Sequence, residues 1–211
     1  CISSAASDVY KRQYVVGVIC VCTGVLWHDF ISVWLGKEYV ISDALMYSVL
    51  LNFMWRVQVK PLAMFRDTNG LFVYVRRMVL INAGLNIVLS LAFGRVIGVP
   101  GVYIATVIAD ILTDFWFDAR LLYEKLFRRK GFWKYDLVAF GTCCANLAVV
   151  YLLRRALDGL GASLPMWVVK GTVAALAYTL VYVLVCGRTQ VFRDVVNQIV
   201  LPRLRRKKAA Q

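Results

Sequence analysis

The sequence predicts an all-α integral membrane protein with six transmembrane helices, and three observations carry that reading. Of its 211 residues 61% are hydrophobic and 18% charged, with a mean hydropathy of +0.67. A soluble domain carries about 45–50% apolar and about 25% charged residues. A folded surface always leaves much area in contact with solvent, so this excess points to lipid as that solvent. The apolar residues also gather into long unbroken runs, which is the pattern of helices rather than of barrel strands. Lys and Arg, finally, crowd alternate joins between those runs.

The chain opens on Cys1 and a polar stretch. Residues 3–13, Ser-Ser-Ala-Ala-Ser-Asp-Val-Tyr-Lys-Arg-Gln, resemble the in-frame translation of a transposase-type sequencing adapter. Residues 1–13 are therefore expected to be non-native and are set aside before fold reasoning. Tyr14 becomes the first authentic residue, and the rest reads as the C-terminal part of a longer protein.

A spanning helix needs about 20 mostly apolar residues. Six stretches qualify: Tyr14–Leu35, Val40–Val59, Leu71–Phe93, Gly101–Tyr123, Tyr135–Leu153 and Pro165–Gly187, together a lobe over 14–187. Gly36-Lys37-Glu38, Lys60-Pro61, Gly98 to Gly101, Arg128 to Gly131 and Asp158 to Pro165 punctuate the joins. Trp27, Trp34, Trp55, Trp116, Trp133 and Trp167 fall towards span ends, as interfacial aromatics do.

The charges orient the spans. With Lys11 and Arg12 set aside, eighteen Lys and Arg gather on one side: around the join of spans two and three, around the join of spans four and five, and in the tail. Only Lys37, Arg95, Arg154, Arg155 and Lys170 belong to the other side. Basic residues concentrate on the cytoplasmic side, so the C-terminus is expected there. The net charge of +13 is thus a topology signal, and no nucleic-acid partner is expected. In the tail, 188–211, Val191, Val195 and Ile199 recur four apart before Pro202 and a basic cluster. It reads either as an amphipathic helix held on anionic lipid or as a plain solvated tail.

Cys20, Cys22, Cys143, Cys144 and Cys186 lie inside apolar runs and read as small buried hydrophobes. Neither cysteine pair has a partner pair at zinc spacing, so no metal and no cofactor is expected. The lone His28 reads as structural.

Ionisable residues inside spans are costly and mark pathways or interhelical pairs. Asp110, Asp114 and Asp118 lie at i, i+4, i+8 in span four, with Asp114 near mid-membrane. Asn52 and Arg56 lie in span two; Arg76, Arg77, Asn82 and Asn86 lie in span three. One reading is a hydrated cavity in which Arg56, with Arg76 or Arg77, faces Asp114 and Asp118. Arg would there grip phosphate oxygens with its planar fork, and the acids would carry H⁺ or Na⁺ or balance the Arg charge. The other reading is a set of ion pairs that only fix packing, with Arg76 and Arg77 as ordinary topology residues.

Several segments resemble the C-terminal part of bacterial polysaccharide repeat-unit flippases, in the multidrug/oligosaccharidyl-lipid/polysaccharide exporter superfamily. They are Phe30-Ile31 with Trp34-Leu35-Gly36 and Tyr39; Pro61, Phe65-Arg66-Asp67, Gly70-Leu71-Phe72 and Asn86; then Gly101-Val102, Ala105-Thr106, Ile108 and Phe115-Trp116. The resemblance implies the C-terminal lobe of a two-lobe exporter fold around a cationic cavity. It further implies a bacterial cytoplasmic membrane location and an undecaprenyl-diphosphate-linked oligosaccharide as substrate, moved without catalysis by alternating access. A cation-coupled drug antiporter of the same superfamily is the alternative. The Asp-x-x-x-Asp spacing is also reminiscent of metal-dependent CDP-alcohol phosphotransferases, but no Asp-Gly precedes the acids and Ala119-Arg120 comes after them. A purely structural membrane partner is the remaining reading.

Overall fold

The computed structural model describes residues 2–127, 133–159 and 164–186, and these are helical almost throughout. The order is α1 (Ile2–Trp34), a short 3₁₀ turn at Lys37–Tyr39, α2 (Asp43–Thr68), α3 (Phe72–Ile97) and α4 (Val99–Asp110). A π-helical turn at Ile111–Phe115 joins α4 to α5 (Trp116–Leu122), and α5 ends in a second at Tyr123–Phe127. After these come α6 (Trp133–Leu157) and α7 (Leu164–Cys186). The expected amphipathic tail at 188–211 lies outside the described residues.

Among the described residues, five stretches are long and apolar enough to cross a membrane: Arg12–Trp34, Val73–Ile97, Val99–Lys125, Leu137–Leu157 and Pro165–Leu184. An all-α, multi-pass membrane protein accounts for this arrangement. The sixth expected span, Val40–Val59, is helical from Asp43 onward but does not reach that apolarity. It belongs to a 26-residue helix that also carries Asp43, Arg56, Lys60, Arg66 and Asp67.

α2 is packed on two sides. It lies between two groups of helices, with α1 and α6 on one side and α4 and α5 on the other. Its buried face, Met46, Ser48, Leu50, Met54, Trp55 and Leu62, joins both groups into one core. A helix wrapped by neighbours needs less lipid-compatible surface than a peripheral one. The start of α2 is capped by Ser42, whose hydroxyl accepts from the Leu45 amide at 3.3 Å. Pro61 does not end the helix, which continues to Thr68.

The joins arise from local chemistry. Gly98 adopts φ +78° between α3 and α4, a left-handed conformation that glycine reaches without a Cβ penalty. Pro100 sits at the start of α4, where its missing N–H costs nothing. A Cβ on Gly101 would run into the Phe93 carbonyl, so only glycine lets α4 return so closely along α3. Across the bundle, a Cβ on Gly17 would strike the Tyr178 ring of α7, and one on Gly24 would strike Val150 of α6. Small residues at these crossings bring backbones together where lipid supplies no hydrophobic drive. Interhelical hydrogen bonds add to them: Tyr178 Oη to Asn146 Oδ1 at 3.0 Å, Gln58 Nε2 to Thr142 Oγ1 at 2.9 Å, and Tyr14 Oη with Thr179 Oγ1 at 2.9 Å.

Cys20 and Cys143 are buried as expected, and Cys22 is half-buried. Cys144 is exposed, contrary to expectation. It lies on the outer surface of α6, where apolar character suits a lipid-facing position as well as a core.

Candidate functional site

The three acids of Val99–Lys125 straddle a change of helix type, with Asp114 inside the π turn and Asp110 and Asp118 on either side of it. The π turn at Ile111–Phe115 holds more residues per turn than an α-helix, so it rotates α5 relative to α4. Asp110 and Asp114 take their hydrogen bonds from α3, and Asp118 takes its own from α2. Trp55 clamps the turn, its ring 4.5 Å from that of Phe115 at 58°. Such turns recur at functional sites because they re-aim side chains within an otherwise regular helix.

On the α3 side, Asn82 is the centre. Its side-chain nitrogen is 3.0 Å from Asp110 Oδ1, 2.7 Å from Thr113 Oγ1 and 3.1 Å from Asp114 Oδ2. Thr113 in turn donates to the Ala109 carbonyl at 2.7 Å. One amide thus ties two carboxylates and a hydroxyl together. Asn86, a turn further along α3, accepts from Ser90 at 2.9 Å and from Thr106 of α4 at 3.5 Å.

On the α2 side, Arg66 Nη1 donates to Asp118 Oδ2 at 2.7 Å, and Arg66 Nε donates to Asp67 Oδ1 at 2.8 Å. Asp118 is 1% exposed and the Arg66 side chain 13%. A carboxylate this buried needs a cation against it, since an isolated charge leaving water is far costlier than a pair. Asp118 Oδ1 and Asp114 Oδ1 are both buried and lack hydrogen-bond partners among the described residues.

The sequence reading set Arg56 against Asp114 and Asp118, and the structure corrects this. Arg56 is exposed, forms no ion pair among the described residues, and exerts its charge on Asp110. The guanidinium on Asp118 comes from Arg66, which lies beyond the expected end of span two. Treating Lys60-Pro61 as a break hid it, whereas the helix runs through Pro61 and carries Arg66 alongside α5. Arg76 and Arg77 are exposed and form no ion pair among the described residues, so no cation of α3 reaches the acids. Asn52 is half-buried on α2, one turn before Arg56.

A second polar cluster was not singled out from the sequence. Lys170 of α7 reaches Asp29 of α1 at 2.5 Å, and Arg154 of α6 reaches Asp43 of α2 at 2.7 Å. His28 stands between, with Nδ1 2.9 Å from Arg154 and Nε2 3.1 Å from Asp43. Lys170 within an apolar run was the available signal, because a lysine there demands a buried partner.

Among the described residues, no three His, Cys, Asp or Glu side chains converge as a metal site. No protein-family model, no curated protein and no solved structure matches the chain.

Proposed function

We propose that the chain is the C-terminal lobe of a lipid-linked oligosaccharide flippase, with α2 as the sixth span and a first lobe facing it. The observation that carries this is the polar stripe Asn52, Arg56 and Lys60 on α2. It lies one turn apart residue by residue, with Arg56 and Lys60 uncovered, on the helix at the centre of the bundle. Uncovered cations at that position need water or an anion rather than acyl chains. A diphosphate moving between two lobes would supply the anion, and the Arg fork can hold two of its oxygens.

In this reading the Arg66–Asp118 pair is structural and sets the register of α2 against α5. Asp110 sits within reach of the Arg56 charge and balances it when the cavity is empty. The π turn is the element that lets α5 shift relative to α4 as the lobes rock.

A cation-coupled antiporter of the same superfamily is a second reading, and the buried unpartnered oxygens of Asp114 and Asp118 favour it. There they would take a proton or Na⁺ in exchange for a drug-like cation.

The test is restoration of surface polysaccharide in a flippase-deficient bacterium, using the chain together with a first lobe. Arg56→Gln should abolish export while membrane insertion is kept, and Asp114→Asn should do the same if coupling runs through it. Undiminished export by Arg56→Gln would sink the flippase reading. Drug efflux that depends on Asp114 but not Arg56 would favour the antiporter.

A further inference from the structure

We propose that the polar cavity at the end of the bundle holding Asp29 and Lys170 binds a zwitterionic phosphate–ammonium group, the chemistry of an ethanolamine headgroup. The cavity measures about 180 Å³ and lies among α1, α6 and α7, with His28, Asp29, Arg154, Asp158 and Lys170 on its wall. That is room for about six waters at ~30 Å³ each. It is independent of the acid cluster on α4 and α5 and of the transport reading.

Its most buried wall is rich in donors and short of acceptors. Lys170 is 4% exposed, yet of the three N–H donors of its ammonium one finds an acceptor among the described residues, Asp29 Oδ2. Arg154 spends Nη2 on Asp43 and His28, while Nη1 meets only the Met46 sulfur at 3.7 Å, a weak acceptor. Buried donors left this way call for oxygen atoms from whatever fills the cavity. The rim is anionic: Asp158 is exposed and has no hydrogen-bond partner among the described residues.

Lys170 and Asp29 cancel, as do Arg154 and Asp43, which leaves Asp158 as the excess charge. A simple anion would be repelled at the rim, and a simple cation would leave the spare N–H donors of Lys170 and Arg154 unmet. A group with acceptor oxygens at one end and an ammonium at the other satisfies both. The order also matches a phospholipid, whose phosphate lies nearer the hydrocarbon than its ammonium does. Depth agrees: Phe30, Trp34 and Trp167 cluster at this end, with centroids 5.4 Å and 6.0 Å apart, and such aromatics lie at headgroup level. Trp167 is one turn from Lys170. A quaternary ammonium has no N–H to give Asp158, so choline headgroups fit less well.

The full chain in nanodiscs of phosphatidylcholine, doped equally with phosphatidylethanolamine and phosphatidylglycerol, provides the test. Lipid retained by the protein is counted by native mass spectrometry. Thermal shifts with soluble phosphoethanolamine and with inorganic phosphate form the second arm. The ethanolamine lipid should be retained about tenfold over the glycerol lipid, the worth of one charge-assisted hydrogen bond. Lys170→Met should remove retention, and Asp158→Asn, on an exposed residue that leaves the fold intact, should erase the ethanolamine preference alone. A shift with phosphoethanolamine but no lipid retention would assign the site to the free molecule. Equal retention of all lipids with no soluble shift, or a preference unchanged in Asp158→Asn, would overturn the proposal.

Discussion

Arg66 of α2 and Asp118 of α5 form a 2.7 Å ion pair in which the carboxylate is 1% and the guanidinium side chain 13% exposed. The two residues are 52 apart in sequence, and their contact fixes how α2 lies against the helix beyond the π turn. Removing one partner strands a buried charge, at a typical cost of ~3–5 kcal/mol, whereas replacing both with apolar residues is often near neutral. Arg66→Met should therefore lower the thermal midpoint in detergent sharply, and Arg66→Met/Asp118→Leu should recover most of the loss. A double variant as unstable as the single one would show that the pair does more than neutralise Asp118.

Asn82 holds Asp110, Thr113 and Asp114 through one amide nitrogen. Asn82→Leu keeps the volume and deletes the donor, leaving buried oxygens unpaired at ~1–3 kcal/mol. Thermal unfolding should register that loss. Hydrogen exchange should rise around residues 110–115, since the amide no longer ties the π turn to α3. Unchanged exchange there would assign the turn's rigidity to Trp55 alone.

Trp55 is 1% exposed and stacks on Phe115 at 4.5 Å. Trp55→Ala removes a large buried ring, with an expected penalty of ~3–5 kcal/mol. Because the ring also clamps the π turn, the same variant should increase exchange at 111–115. Loss of stability without that local signal would make Trp55 a space-filler only.

Gly17 has no room for a side chain beside Tyr178. Gly17→Val should separate α1 from α7 and destabilise by ~1–3 kcal/mol, the usual cost of overpacking. Adding Tyr178→Ala should return part of it, and the absence of any rescue would place the strain elsewhere.

If α2 crosses the membrane, the turn at Lys37 and the turn at Gly70 lie on opposite sides. In a background without native cysteines, Lys37→Cys and Gly70→Cys should react with an impermeant thiol reagent added from opposite faces of oriented vesicles. Labelling of both from the same face would remove α2 from the count of spans.

The helical, membrane-embedded class was legible because it depends on quantities that sum along the chain. Long apolar runs such as Pro165–Leu184 cannot be satisfied by any other structure in lipid. The α3–α4 join was equally legible, since Gly98 and Pro100 carry their backbone preferences with them wherever they occur. The acids of span four also announced that they must face protein or water rather than lipid, and Asn82 and Arg66 do meet them.

Which partner each acid takes was decided by tertiary structure alone. Spacing of i, i+4, i+8 gave no sign of the π turn, whose contacts to Trp55 and Asn82 come from other helices. Arg66 rather than Arg56 reaches Asp118 because α2 continues past Pro61, a matter of packing against α5 that local propensity opposes. The cluster of His28, Asp43, Arg154 and Lys170 assembles from four helices. No single segment holds the information for it, since opposite charges far apart in the chain are paired only by the way the helices pack.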